Sequence, residues 1–163
     1  MTKLLSAVLA LALVVGCQSK QKTEEKKTDT TPTQIDSSPM SFDPSGSDSG
    51  KINGLSTVHF EYDKSSITAE SKKLLAGNAD WLKNNPKANL QIEGHCDSRG
   101  SIEYNLSLGE RRAQAVKNYL VGMGVSSGRM TIISYGKEKP LMQGDTEAAH
   151  GKNRRANFLP LAQ

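Results

Sequence analysis

Leu90, Ile92 and Gly94 alternate with polar residues, and the chain then runs through a polar turn into a helix-forming segment. The stretch from Gly94 to Val116, GHCDSRGSIEYNLSLGERRAQAV, constrains the fold more than any other. Along the helix Leu108, Arg112, Val116 and Leu120 recur every four residues and so share one face. Three are apolar and one is an arginine. A guanidinium on a buried stripe needs a partner, because an unpaired buried charge costs several kcal/mol. The nearest acid ahead of the helix is Asp97, in the turn that leads into it. Spacing alone leaves two readings open, a structural ion pair or the two ends of a clamp for a ligand carrying both signs of charge.

The surrounding sequence supplies a sheet and further helices. Val58, Phe60 and Tyr62 alternate with His59 and Glu61, which predicts a half-buried strand. Thr68 is an expected N-cap, with Glu70 in the first turn of a helix reaching about Asn84. Leu75, Ala79 and Leu82 give that helix its apolar face, and Asn85-Pro86 stops it. The key helix spans about Ile102 to Met123 and closes at Gly124 as a C′ glycine. A third strand is expected over Met130, Ile132 and Ser134, a short helix near Thr146–Lys152, and a last strand near Arg155–Leu159. The order β-α-β-α-β-(α)-β predicts helices packed on one face of a sheet. No internal repeat is visible.

The N-terminal third differs in kind. MTKLLSAVLALALVVGC has a positive start at Lys3 and an apolar run from Leu4 to Val15, too short to span a membrane and shaped like a secretory signal. Val14-Val15-Gly16-Cys17 resembles a bacterial lipobox, which predicts cleavage after residue 16 and acylation of Cys17. Cys96 is then left without a disulfide partner. Gln18 follows the cysteine where an aspartate would, by analogy with bacterial lipoproteins, favour the inner membrane, so the lipobox resemblance implies the outer one. From Gln18 to Gly50 the chain is Ser, Thr, Lys, Asp and Pro with scattered apolar residues, too few to offset the entropy of ordering. It reads as a polar tether with a root-mean-square span of roughly 30 Å and a reach on the order of 110 Å. The expected organisation is a signal at 1–16, a lipidated cysteine and flexible tether at 17–50, and one folded domain at 51–163.

Catalytic signatures fail on context. Gly124-Val125-Ser126-Ser127-Gly128 spells a nucleophile elbow, but it follows a helix end where a strand is required. Ser134-Tyr135-Gly136-Lys137 fits S-x-x-K without its companion motifs. His95, Cys96 and Asp97 are consecutive, and on extended backbone only His95 and Asp97 could share a metal, so no metal site or cofactor is expected. A cell-wall hydrolase using His95 and Asp97 is the rival reading from another class. Net charge is +4, and Arg111, Arg112, Lys152, Arg154 and Arg155 could form a basic patch. Aromatics are too sparse for a base-stacking surface, which argues against nucleic acid.

GHCDSRGSIEYNLSLGERRAQAVKNYL, then ISYGKEKP and KNRRA, closely resemble the OmpA-like C-terminal domain family over roughly residues 55–160. With the lipobox and polar tether ahead of them they resemble its peptidoglycan-associated lipoproteins rather than its barrel-borne or flagellar members. The resemblance implies an α+β two-layer domain, β-α-β-α-β-(α)-β, with helices packed on one face of a mixed sheet. It implies a non-enzymatic outer-membrane lipoprotein facing the periplasm that tethers the membrane to the cell wall. The ligand so implied is peptidoglycan, held non-covalently at meso-diaminopimelate, with Asp97 and Arg112 as the ligand-reading pair. Tyr62, Asp63, Ser98, Arg99, Asn105 and Leu108 are expected around them, and a periplasmic β-propeller protein of the Tol system is the implied protein partner. Many relatives carry Thr or Ala at Cys96 and Glu at Ser98, so the pocket rim here has one acid fewer.

Overall fold

The computed structural model describes residues 43–161. The signal, Cys17 and most of the expected tether lie outside the described residues. Strand β1 (Val58–His59) is followed by α1 (Ala69–Asn84), β2 (Asn89–His95), α2 (Ile102–Gly122), β3 (Met130–Gly136), α3 (Glu147–Asn153) and β4 (Arg155–Leu161). The sheet order is β1-β4-β2-β3. The β2–β3 pair is parallel and the other two pairs are antiparallel, so the sheet is mixed as expected. Among the described residues no helix is long and apolar enough to cross a membrane.

Local signals account for the helices. Thr68 accepts a hydrogen bond from the Ser71 amide and starts α1, and Ser101 does the same from Tyr104 for α2. Gly124, at φ +89°, lies just past the end of α2. Leu90 and Ile92 of β2, Ala156 and Phe158 of β4, Leu75 and Leu82 of α1, and Val116 and Leu120 of α2 form the core and are fully buried. The alternation of β2 therefore sends 90, 92 and 94 toward the helices.

Two expectations about the edges of the domain are corrected. The first strand is only two residues long, although the apolar alternation runs on to Tyr62. Its partner β4 begins at Arg155, and the last bond of the pair is the Phe60 amide to the Arg154 carbonyl (2.9 Å). Beyond it no strand among the described residues is there to pair with, and Tyr62 is exposed.

The second correction concerns the boundary at Lys51. A 3-10 turn at Gly46–Ser49 sits against β4, so the folded unit includes residues assigned to the tether. The Phe158 amide donates to Ser47 Oγ (3.0 Å), which donates to Asn157 Oδ1 (2.9 Å). The Asp48 carboxylate accepts from Thr57 (2.8 Å) and from Arg155 Nε (2.8 Å), an ion pair buried on both sides. Gly46 passes so close that a Cβ would stand 2.4 Å from the Phe158 carbonyl oxygen. Polar composition hid this segment because it is held by hydrogen bonds rather than apolar area.

Removing one member of a buried pair costs roughly 3–5 kcal/mol, since the other charge stays buried. Asp48→Ala is therefore expected to lower the unfolding free energy by about 3 kcal/mol in urea denaturation. A chain starting at Lys51 should lose at least as much. An unchanged midpoint in both would show the turn to be an ornament of the fold.

Candidate functional site

Three loops and the first turns of α2 enclose a cavity of about 260 Å³. Tyr62 and Asp63 reach it from the loop after β1, Asp97 and Arg99 from the loop after β2, and Asn105, Leu108 and Arg112 from α2. These seven were expected from the sequence. Ser98 was expected too, but it lies outside the wall: its hydroxyl meets His150 Nε2 at 3.2 Å and lines a separate recess with Lys137 and Asn153. A bend at Ser98 turns it out of the cavity, where His150 and Lys137 hold it. Cys96, Gly100, Tyr104 and Arg154 complete the wall.

Arg112 is fully buried. Its Nε donates to the Lys64 carbonyl (2.9 Å), Nη1 to the His95 carbonyl (2.8 Å) and Cys96 Sγ (3.4 Å), and Nη2 to the Glu61 carbonyl (3.1 Å). The guanidinium also lies 5.1 Å from the centre of the Phe60 ring. Among the described residues no carboxylate lies within ion-pair distance of it, so the Asp97–Arg112 bridge left open by the spacing does not form. Burial pulls its pKa below the usual arginine value, against the opposing pull of Cys96 and Asp97. The positive pole of the cavity is solvated by neutral dipoles, with no ion-pair partner among the described residues.

Asp97, 4% exposed, has two arginine partners. Arg99 donates to Oδ1 from its amide (3.2 Å) and Nε (3.3 Å), and to Oδ2 from Nη2 (2.5 Å). Arg154 Nη1 adds a bond to Oδ2 at 3.3 Å. Burial acts to raise the carboxyl's pKa, but the Arg99 and Arg154 hydrogen bonds outweigh it and leave it below the ordinary value. Asp97 is thus ionised at neutral pH.

The rest of the wall holds these two in place. Asn105 Nδ2 donates to the carbonyls of Arg99 (2.8 Å) and Ser101 (2.9 Å), fastening the loop to the helix start. The Cys96 thiol donates to the Asn105 carbonyl (3.3 Å), and burial raises its pKa, so it packs as a protonated, inert group. The Tyr104 hydroxyl bonds the Asp63 carboxylate, and Asp63 itself adopts φ +55°.

Sequence reasoning missed Arg154 as a site residue and grouped it with a basic patch. Its Nε donates to the Phe60 carbonyl (3.1 Å) and Nη2 to Glu147 (2.6 Å). The signal was present in KNRRA: Arg154 turns to the cavity, whereas Arg155 pairs with Asp48 beneath the Gly46–Ser49 turn. The patch therefore dissolves into separate sites. The hydrolase arrangement also fails, because His95 is buried against Tyr135 and does not line the cavity that holds Asp97. Burial lowers the His95 pKa despite Glu93, and both ring nitrogens lack a hydrogen-bond partner among the described residues. No cluster of metal ligands occurs among the described residues.

The sequence profile of the OmpA family matches residues 59–154. The peptidoglycan-associated lipoprotein of Haemophilus influenzae is 50% identical over 100 residues, covering 61% of this chain and 65% of that protein, just under two thirds of its length. The peptidoglycan-associated lipoprotein of Pseudomonas aeruginosa is 38% identical over 160 residues, covering 96% of this chain and 95% of that one. The crystal structure of the peptidoglycan-associated lipoprotein from Burkholderia pseudomallei superposes with a TM-score of 0.62 at 40% identity, over 64% of this chain and 89% of that chain. The C-terminal domain of Helicobacter pylori MotB shares the fold at a TM-score of 0.63 and 21% identity, over 67% of this chain and 86% of that one.

Proposed function

This chain belongs to the OmpA family, and on that premise we propose that it is an outer-membrane lipoprotein that binds peptidoglycan without catalysing a reaction on it. The expected anchor is acylated Cys17 after removal of residues 1–16, and the polar segment ahead of residue 43 is the tether between lipid and domain. Relatives of 38–50% identity carry the name peptidoglycan-associated lipoprotein, which supports this reading.

The observation that carries it is the buried guanidinium of Arg112 in a cavity wall with no carboxylate of the described residues within ion-pair distance. Its acceptors are neutral, so a carboxylate entering the cavity would meet a positive charge already stripped of water. Asp97 supplies the negative pole of the same cavity. The finer reading is the one the family resemblance implies, and that pairing supports it. The free ammonium and carboxylate on one carbon of meso-diaminopimelate match Asp97 and Arg112, with Tyr62, Asp63, Asn105 and Leu108 as walls. A periplasmic β-propeller of the Tol system remains the protein partner implied by the family resemblance.

The test is co-sedimentation of the purified chain with sacculi, with and without free meso-diaminopimelate. Pelleting should be competed away by the free amino acid. Asp97→Asn, which keeps the shape but not the charge, should weaken binding roughly tenfold to hundredfold, the equivalent of one charge-assisted hydrogen bond. Pelleting that only salt removes, and that Asp97→Asn leaves unchanged, would count against the clamp.

A further inference from the structure

The carboxylate that the ligand's ammonium is to occupy is already full. An ionised carboxylate offers about four lone-pair positions. On Asp97 all four are taken: Oδ1 by the Arg99 amide and Nε, Oδ2 by Arg99 Nη2 and Arg154 Nη1. An incoming ammonium can reach Asp97 only if one donor leaves.

The two arginines differ in their freedom to leave. The Arg154 side chain is 10% exposed and is also tied to the Phe60 carbonyl (3.1 Å) and Glu147 (2.6 Å). The Arg99 side chain is 35% exposed, and among the described residues both of its hydrogen bonds go to Asp97. It lies over the Tyr62 ring, 4.0 Å from the centroid, in the wall of the cavity that holds Asp97. A second acceptor stands ready, with Glu147 Oε2 3.8 Å from Arg99 Nη2. Moving the guanidinium from one carboxylate to the other keeps it paired.

We infer that Arg99 is a gate that occupies the Asp97 carboxylate in the empty site and swings toward Glu147 when a ligand ammonium displaces it. The inference rests on the reading of Asp97 as the ammonium-binding group. The gate makes the site selective, because a ligand must repay the lost Arg99–Asp97 bonds. One that also delivers a carboxylate to Arg112 can do so; a ligand offering only an ammonium cannot. Arg99 is therefore a specificity-determining residue rather than an added contact.

Calorimetric titration of the full chain in detergent with meso-diaminopimelate, and with the ammonium-only diamine cadaverine, tests this. Arg99→Ala should bind meso-diaminopimelate about tenfold more tightly than the parent chain, as expected when the two competing Arg99 side-chain bonds, partly exposed to solvent, are removed. It should also bind cadaverine, which the parent excludes, so the preference between the two narrows. Arg99→Gln, a polar replacement that spares the loop, should behave alike, and the Arg99 Nε–H NMR signal of the parent should move on binding while that of Arg154 holds. Weaker or equal binding of meso-diaminopimelate by both variants overturns the gate while leaving the clamp standing. Failure of both parent and variants to bind overturns the clamp and the gate together.

Discussion

Arg112→Met is expected to abolish meso-diaminopimelate binding and to weaken the fold at the same time. Methionine keeps much of the volume and flexibility of the arginine stem but none of its donors. The carbonyls of Glu61, Lys64 and His95 would each lose a partner. The His95 bond is fully buried, and its orphaned carbonyl costs about 1–3 kcal/mol. The Glu61 and Lys64 bonds are only partly buried, so water recovers some of their loss. Removing a desolvated charge offsets part of this, as replacing buried ion pairs by hydrophobes shows. The offset is incomplete here because backbone acceptors cannot be deleted along with the donor. A net loss of about 2–3 kcal/mol in urea denaturation is the expected balance. Binding should fall more than about a hundredfold, since the carboxylate loses a buried guanidinium whose described acceptors are all neutral. Calorimetry at a temperature where the variant is still folded separates the effects. A variant that folds less well yet binds normally would make Arg112 purely structural.

That prediction bears on what the sequence could reveal. Reading 108, 112, 116 and 120 as one face placed Arg112 on the buried side of α2 correctly, because helical periodicity is local. Its partners were not legible. They are backbone carbonyls from the loop after β1 and the end of β2, and backbone leaves no trace in residue identity. The cap at Thr68, the stop at Asn85-Pro86 and the strands β2 to β4 were readable for the same local reason. The extent of β1 was not, because a strand ends where its partner does, and that depends on where α3 hands over to β4. The Gly46–Ser49 turn escaped for a third reason. Its bonds to Asn157, Phe158 and Arg155 join residues more than a hundred positions apart, and hydrogen bonds between distant polar side chains have no period.

The cavity shows the same division. Asp97 and Arg112 were legible from the turn and from the buried face of α2, whereas Tyr62, Asp63, Arg99, Asn105 and Leu108 were expected through the family resemblance, and all seven line the cavity. Ser98 and Arg154 were misassigned because facing on a loop, unlike facing on a helix, is decided by contacts elsewhere. The glycines that let α2 approach the sheet were also silent in the sequence, and they set the position of the whole site.

Gly94→Ala is expected to be the most damaging single-methyl change in the domain. A Cβ at residue 94 would stand 1.9 Å from the Gly109 carbonyl oxygen and 2.6 Å from its carbonyl carbon, both backbone atoms that no rotamer change can move. Relief requires α2 to lift from β2 by more than an ångström, and the packing of Val116 and Leu120 resists that. Overpacking of this kind costs about 1–3 kcal/mol when side chains can yield and more when backbone must. A loss of about 4 kcal/mol, a large part of the 5–15 kcal/mol typical of a domain, is therefore expected in urea denaturation. Gly109→Ala meets a softer obstacle, since its nearest neighbour is the Ser134 hydroxyl at 2.3 Å, and the Gly94 carbonyl oxygen stands at 2.9 Å. Alanine also gains about 1 kcal/mol of helix propensity there, so that variant should lose much less. Asn105, Leu108 and Arg112 all ride on α2 within about one turn of Gly109. Any Gly94→Ala protein that does fold should hold Arg112 away from the His95 and Glu61 carbonyls and bind meso-diaminopimelate poorly. Equal stability of the two alanine variants would mean that the helix is not held down by this contact.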